Sequence, residues 1–215
     1  MDIILIAGGS ASGKTTFASA LRDYLPDAGL LSQDSFYHCQ STRVPVEGPD
    51  LDFDIPDAID WSRLEATLTR LRAGLPARMP VYNFATSTRI GETDVSAEAR
   101  TMIVEGTLVL TRPECRRLAV LTVFIDADES LRRLRRESRD VEARDIPLAT
   151  VRDRLSRQVF PAHSRFIEPS ARHADLVLDA RKLEEDIHEA VELVAGLYES
   201  RRDTLSASGR IARSI

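Results

Sequence analysis

The chain alternates short apolar runs with amphipathic stretches, and the two periods predict strands and helices in turn. Ile3 to Ala7 is a continuous apolar run of strand length, and Phe17, Ala18, Leu21 and Leu25 then recur at helical spacing until Pro26-Asp27 interrupts them. Gly29 to Ser32 predicts a short second strand, ending in the polar-to-aromatic stretch Gln33-Asp34-Ser35-Phe36-Tyr37. Residues 41–57 carry Pro45, Gly48, Pro49 and Pro56 among acids, which is loop composition, and Ala58 to Leu71 predicts an amphipathic helix. Pro80 to about Val95 reads as a small β excursion able to cover a substrate.

Arg100 to Gly106 and Leu118 to Asp126 are apolar enough to be strands buried on both faces of a parallel sheet. An arginine-rich helix is predicted from about Glu129 to Arg139, a break at Arg144 to Pro147, and a further helix to about Phe166. Ala174 to Asp179 predicts a last strand and Leu183 to Tyr198 a closing helix, while 201–215 is polar enough to predict a frayed, flexible tail. Strands alternating with helices imply an α/β fold with a doubly wound, mainly parallel sheet. We expect one domain over residues 1–200, with a substrate-covering segment at about 41–98 and an arginine-rich lid at about 132–147.

Composition narrows the classes. The 215 residues are 43% hydrophobic and 29% charged, ordinary for a globular protein. No apolar run approaches the length of a membrane span and the N-terminus runs straight into a strand, so a cytoplasmic protein without a membrane partner is expected. Cys39 and Cys115 alone make no disulfide framework. A net charge of −5 argues against a general nucleic-acid partner.

The candidate chemistry begins where the first strand ends. Gly8-Gly9-Ser10-Ala11-Ser12-Gly13-Lys14-Thr15 satisfies G-x-x-x-x-G-K-[ST], and Thr16 continues into the helix. Glycine at both fixed positions lets successive N–H groups turn inward around phosphate oxygens, and the helix that follows adds the positive end of its dipole. Lys14 is placed to neutralise the β/γ-phosphates, and the Thr15 hydroxyl is a Mg²⁺ ligand in such a loop. The base-reading Asn/Thr-Lys-x-Asp signature of GTPases is absent from the chain, and the strand end Ile103-Val104-Glu105-Gly106 offers a single carboxylate instead of the paired acids common in motor ATPases.

Further motifs fall in a characteristic order: Gln33-Asp34-Ser35-Phe36-Tyr37, Phe53-Asp54-Ile55-Pro56-Asp57-Ala58, Pro80-Val81-Tyr82-Asn83-Phe84, Ile103-Val104-Glu105-Gly106, Arg135-Arg136-x-x-Arg139-Asp140, Phe166-Ile167-Glu168-Pro169 and Ala174-Asp175. With the phosphate loop they resemble the uridine kinases, part of the wider uridine kinase and phosphoribulokinase group of P-loop kinases, over residues 2 to about 180. The resemblance implies transfer of the γ-phosphoryl of ATP, with Mg²⁺, to the 5′-hydroxyl of a pyrimidine nucleoside, and relatives that often assemble into oligomers. Asp34 resembles the family's catalytic carboxylate near the metal, and Glu105 the acid that holds the metal's water shell along with Thr15. Asp54 looks like the ribose-hydroxyl acceptor, and Tyr82 and Phe84 like the aromatics flanking the base, although without the family both would more often be core residues. Arg89 matches a family arginine serving substrate or structure. Arg136, Arg139 and Arg144 resemble the lid cations that stabilise the transferring phosphoryl, while Arg132 and Arg133 read as solvated helix arginines.

Two positions depart from the family. Ser87 stands where uridine kinases usually carry a histidine that reads the pyrimidine edge, and Ala143-Arg144-Asp145-Ile146 replaces Glu-Arg-Gly-Arg in the lid, losing a glycine and one cation. His38 and His163 are the nearest imidazoles that could compensate. These departures keep open a same-fold kinase for another small alcohol, such as a different nucleoside, pantothenate or a sugar phosphate, and a non-catalytic nucleotide-binding protein.

Overall fold

The computed structural model describes residues 1–39 and 52–211, with side chains through residue 205. Its strands in chain order are β1 (Asp2–Gly8), β2 (Ala28–Ser32), β3 (Ala77–Asn83), β4 (Thr88–Val95), β5 (Thr101–Glu105), β6 (Leu121–Asp126) and β7 (Leu176–Asp179). Five of them pair in parallel in the spatial order β2-β5-β1-β6-β7, and β3 with β4 makes a separate antiparallel hairpin bulged between Val81 and Tyr82. The helices are α1 (Lys14–Tyr24), α2 (Trp61–Arg72), α3 (Pro113–Leu118), α4 (Glu129–Glu142), α5 (Leu148–Arg154), α6 (Phe160–Ala162), α7 (Ala180–Glu185) and α8 (Ile187–Ile211). The sheet is doubly wound and mainly parallel, in line with the alternation in the sequence. Among the described residues no helix is long and apolar enough to cross a membrane.

β1 explains why its five apolar residues run without interruption. Ile3, Leu5 and Ala7 pack on one face with Leu64 and Leu68 of α2, and Ile4 and Ile6 on the other with Phe17 of α1 and Val194 of α8. Residues 3–7 are all fully buried, and each Ile or Leu so buried contributes about 1.5–3 kcal/mol. The central strand therefore holds both layers together and delivers Gly8 to the sheet's carboxyl edge.

Several boundaries differ from the sequence pattern. The predicted strand from Leu118 begins only at Leu121, because Pro113 sits in the first turn of α3, which Leu118 closes. α2 starts at Trp61 rather than Ala58, with the Asp60 carboxylate accepting from the Arg63 N–H as its cap. The helix after Pro147 does reach Ile167, but through π-helical turns at Leu155–Val159 and His163–Ile167 on either side of α6. Pro161 lacks an N–H, and the Phe160 and Glu168 amides bond five residues back to Leu155 and His163.

Where a frayed, flexible tail was expected, α8 continues from Tyr198 through Ile211, and 212–215 lie outside the described residues. Arg201 ion-pairs with Asp175 at 2.7 Å and donates to the Val120 carbonyl, while Arg202 faces Asp2 at 3.5 Å, so polar residues that read as solvated instead hold the helix to the sheet. Tyr198 adds to this, donating to Asp2 at 3.1 Å and sharing a hydrogen bond with Thr101. Residues 40–51 of the predicted substrate-covering segment lie outside the described residues; the rest contributes a 3₁₀ turn at Pro56–Ala58, α2 and the hairpin.

Gly106, just past β5, sits where a Cβ would lie 2.1 Å from the Gln33 Oε1, which itself accepts from the Leu108 amide at 3.0 Å. We expect Gly106→Ala to lower stability by about 1–3 kcal/mol, read as a lower urea midpoint at unchanged slope. A midpoint equal to wild type would mean that the close approach is not constraining.

Candidate active site

The site is assembled at the carboxyl ends of β1, β2 and β5. Register pairs Ile6 with Glu105 and Leu31 with Val104, so the first loop, the turn after β2 and the end of β5 open on the same edge, where a parallel sheet binds its ligand. Gly8, with φ of 154°, begins the loop; a Cβ there would lie 2.6 Å from the Ser12 hydroxyl and 2.7 Å from the Ile125 carbonyl. Gly13, with φ of 100°, precedes α1. The Ser12 amide donates to the Gly9 carbonyl at 3.1 Å, closing the loop so that Lys14 and Thr15 open the helix. Ala11 adopts a φ of 65°, so one non-glycine residue also takes a left-handed conformation in this turn. Gly9, Ser10 and Thr16 complete the motif as expected.

Three carboxylates face this loop. Asp34 lies in a 3₁₀ turn at Gln33–Phe36, whose start is capped by the Ser32 hydroxyl accepting from the Asp34 amide at 3.3 Å. Burial raises the Asp34 pKa against the lowering by Lys14, and the Glu105 charge raises it further, while Tyr37 hydrogen-bonds the carboxylate. The Glu105 carboxylate is buried and accepts from the Thr15 hydroxyl at 3.2 Å. Asp54 is pushed up to about 6, by burial first, with Arg136 opposing and Asp52 and Asp34 adding to the rise. Thr15, Asp34 and Glu105 thus form a hard-oxygen set with mutually repelling acids, and this fits Mg²⁺, which binds through few protein ligands and keeps several waters. A bound cation there would offset the burial that chiefly raises the Asp34 pKa and the Glu105 charge that adds to it.

The arginines converge from α4 and the turn behind it. Arg136 donates to the Ser10 hydroxyl of the loop and to Asp140, and Arg139 and Arg144 also pair with Asp140. Arg135 donates to the Ala11 and Ser12 carbonyls at 3.1 and 3.0 Å and pairs with Glu184. A cleft of about 540 Å³ runs along the loop, with Lys14, Thr15, Arg135 and Arg139 on one side and Ala180, Leu183 and Ile187 on the other. Sequence reasoning placed Arg135 in the arginine motif without giving it a role and did not single out Leu183 or Ile187 as site residues; only the fold sets these last two beside the loop.

Arg132 corrects the sequence reading. It is buried, not solvated: its Nε donates to the Ala127 carbonyl at 3.0 Å, its guanidinium lies 5.3 Å from the Phe160 ring, and its Cδ is within 2.9 Å of where a Gly9 Cβ would stand. Arg133 keeps its expected place in an exposed pair with Glu129, with Phe160 4.7 Å away. His163 packs in the same place, where burial and then the Arg132 charge lower its pKa to about 4 and leave it neutral.

Across the carboxylates runs an aromatic row. Tyr37 meets Phe53 edge-on at 5.1 Å and Tyr82 at 5.6 Å, and Tyr82 meets Phe84 at 5.3 Å. Tyr82 is buried while Phe84 stands exposed at the hairpin tip, so the second is free to meet a ligand. Tyr37 and Phe53 extend the row beyond the two aromatics picked out from the sequence. Ser87 turns the hairpin with φ of 53°, and the Asn83 side-chain oxygen Oδ1 accepts from the Ala85 and Thr86 amides, which fixes the tip. Arg89 donates to the Tyr37 and Phe36 carbonyls and pairs with Asp60 at 3.0 Å, tying the hairpin to the turn that carries Asp34. Ile146 donates its amide to the Asp140 carbonyl, and its apolar side chain packs against the small cluster of Val151 and Leu155.

A phosphate loop, a doubly wound parallel sheet and cations gathered over strand-end carboxylates define a P-loop protein of the small-molecule kinase architecture. Residues 3–186 match the Phosphoribulokinase / Uridine kinase family, and the chain belongs to it. It is 38% identical over 180 residues to a uridine kinase of Lactobacillus helveticus, covering 82% of this chain and 85% of that protein. A uridine kinase of Shewanella frigidimarina is 35% identical over 182 residues, covering 82% and 86%. The fold is shared with the phosphoribulokinase of Rhodobacter spheroides at a TM-score of 0.63 and 19% identity, over 83% of this chain and 69% of that one.

The Asp54 pKa gives a signed expectation. Its folded value of about 6 exceeds the model-peptide 3.8, so the ionised form is penalised above about pH 6 and the penalty is gone below about 4. We expect Asp54→Asn to melt at a higher temperature than wild type at pH 8, with the difference vanishing near pH 4. A variant less stable at pH 8 would show the carboxylate to be stabilising.

Proposed function

We propose that the chain transfers the γ-phosphoryl group of ATP to the 5′-hydroxyl of a pyrimidine nucleoside, uridine or cytidine, giving the monophosphate. The observation that carries this reading is the placement of Asp34 opposite Lys14 and Thr15, with Asp54 and the aromatic row on its other side. That arrangement has a donor half and an acceptor half. The 38% and 35% identical relatives are uridine kinases, which favours the nucleoside over other alcohols.

In this reading the loop amides from Gly8 to Thr16 cradle the triphosphate, and Lys14 neutralises its β/γ end. Thr15, with Asp34 and Glu105, would hold Mg²⁺, which when bound would supply charge neutralisation at the phosphate oxygens. Asp34 accepts the proton of the 5′-hydroxyl and aims its oxygen at phosphorus, and Asp54 accepts from the ribose hydroxyls. Tyr82 and Phe84 offer faces to the base. Arg136, Arg139 and Arg144 meet the charge on the transferring phosphoryl, and closure of residues 132–147 over it excludes water as a competing nucleophile. Ser87, with a shorter reach than histidine, alters how the base edge is read, and Arg89 orients the pocket from behind. The partner is thus a small molecule, the setting cytoplasmic, and self-assembly in keeping with the group.

A second reading is favoured by Ser87 and Ile146: the same chemistry on another nucleoside or a sugar phosphate. A panel of nucleosides and small alcohols with Mg-ATP, read by ADP release, separates the two. Turnover is expected with uridine or cytidine, and turnover confined to a different alcohol would replace the first reading with the second. We expect Asp34→Asn to lower kcat by about 10²–10⁴-fold while equilibrium titration still shows ATP binding. Wild-type kcat in that variant would overturn the base assignment.

A further inference from the structure

Asp140 lies outside the loop and outside the acceptor carboxylates, yet three arginines converge on it. Its side chain is only 5% exposed and takes Arg136 on Oδ2 at 2.6 Å, with Arg139 at 2.9 Å and Arg144 at 3.2 Å sharing Oδ1. Arg136 lies one helical turn before Asp140 on α4, and Arg144, at the same spacing beyond it, reaches the same carboxylate from the turn that follows the helix. The main chain reinforces the arrangement: the Ile146 amide donates to the Asp140 carbonyl at 3.0 Å and the Ala143 amide to the Arg139 carbonyl at 3.0 Å. The turn that carries Arg144 is therefore held by the same residue through backbone and side chain. Arg136 reaches on to the Ser10 hydroxyl, which links the carboxylate to the phosphate loop. Burial alone would raise the Asp140 pKa, but the charges and hydrogen bonds of Arg136 and Arg139 outweigh it and keep the group ionised.

We propose that Asp140 is a positioning residue for phosphoryl transfer: a single buried carboxylate that fixes the spacing and aim of Arg136, Arg139 and Arg144 at the mouth of the loop. This rests on the phosphoryl-transfer reading above. Three guanidiniums this close repel one another, and without a shared anion each would splay toward solvent. The array as built carries three positive charges and one negative, so it still presents a net positive face to incoming phosphate. The Asp34 and Asp54 carboxylates feel it, since Arg139 acts on the first and Arg136 on the second.

The sign of one substitution separates aim from bulk charge. Asp140→Asn keeps the shape and one acceptor oxygen but adds one net positive charge to the array. If the arginines act only as a positive field, the variant binds ATP more tightly and keeps or gains kcat. If Asp140 aims them, kcat falls by about 10- to 100-fold while the ATP dissociation constant, measured by equilibrium titration, stays the same or decreases. Asp140→Glu, with the charge on a longer arm, is expected between the two. Wild-type kcat in a folded Asn variant overturns the proposal, as does a joint loss of kcat and ATP affinity, which marks a merely structural residue. Should the Asn variant fail to fold, the Glu variant carries the test: lowered kcat at unchanged ATP affinity supports it and wild-type kcat overturns it.

A readout that needs no acceptor keeps the result independent of the nucleoside assignment. Trypsin cleavage after Arg136, Arg139 and Arg144 in the presence of Mg-ATP should be slow in wild type and faster in the Asn variant. Equal rates would overturn the proposal whichever alcohol the protein phosphorylates.

Discussion

The site depends on the parallel pairing of β1 between β5 and β6. Ile6 opposite Glu105 and Gly8 opposite Ile125 fix how far each strand projects, so the loop glycine and the Glu105 carboxylate emerge at matching depth. A slip of one residue would exchange Ile3, Leu5 and Ala7 with Ile4 and Ile6 between two differently packed layers, both fully buried, and would shift Gly8 from its depth. The hydrophobic core thus does more than stabilise: it sets the register on which the distance between Thr15 and Glu105 depends. β2 lies beyond β5 in the same sheet, which brings the Asp34 turn to the same edge.

On that frame the chemistry is a balance of buried charge. Asp34 and Asp54 lie in surroundings that penalise their ionised forms, and Lys14 and the arginines of α4 offset this from the facing side. Such an arrangement is poorly optimised for stability and well suited to a ligand that brings its own phosphates and cation. The arginines are in turn tethered by Asp140, so the cationic half has a defined shape before any ligand arrives. The hairpin, assigned to the acceptor half in the proposed function, is itself fastened by Arg89 to the turn holding Asp34.

Much of this was legible in the sequence because short-range rules govern it. The phosphate loop follows from glycine stereochemistry between a strand and a helix, and the five-residue apolar run at Ile3 has the length of the strand that leads into it. Asp34 and Glu105 were readable as polar residues at strand ends. What escaped depended on distant contacts. Arg132 looks like any helix arginine until Phe160, Ala127 and the Gly9 backbone close around it. Arg201 and Arg202 read as a solvated tail, and only Asp175 and Asp2, remote in sequence, account for the helix that runs on to Ile211. Pro161 within a helical stretch gave no sign that π-helical turns would absorb it.

The central claim is that the phosphate loop and Asp34 face each other as the donor and acceptor halves of one phosphoryl transfer to a nucleoside. Phosphorus NMR of the protein with Mg-ATP and uridine follows the γ-phosphorus itself. The account predicts that its signal moves into a single phosphomonoester whose phosphorus couples to the two protons of the 5′-carbon. Conversion of ATP to inorganic phosphate alone, with uridine unchanged, would contradict it.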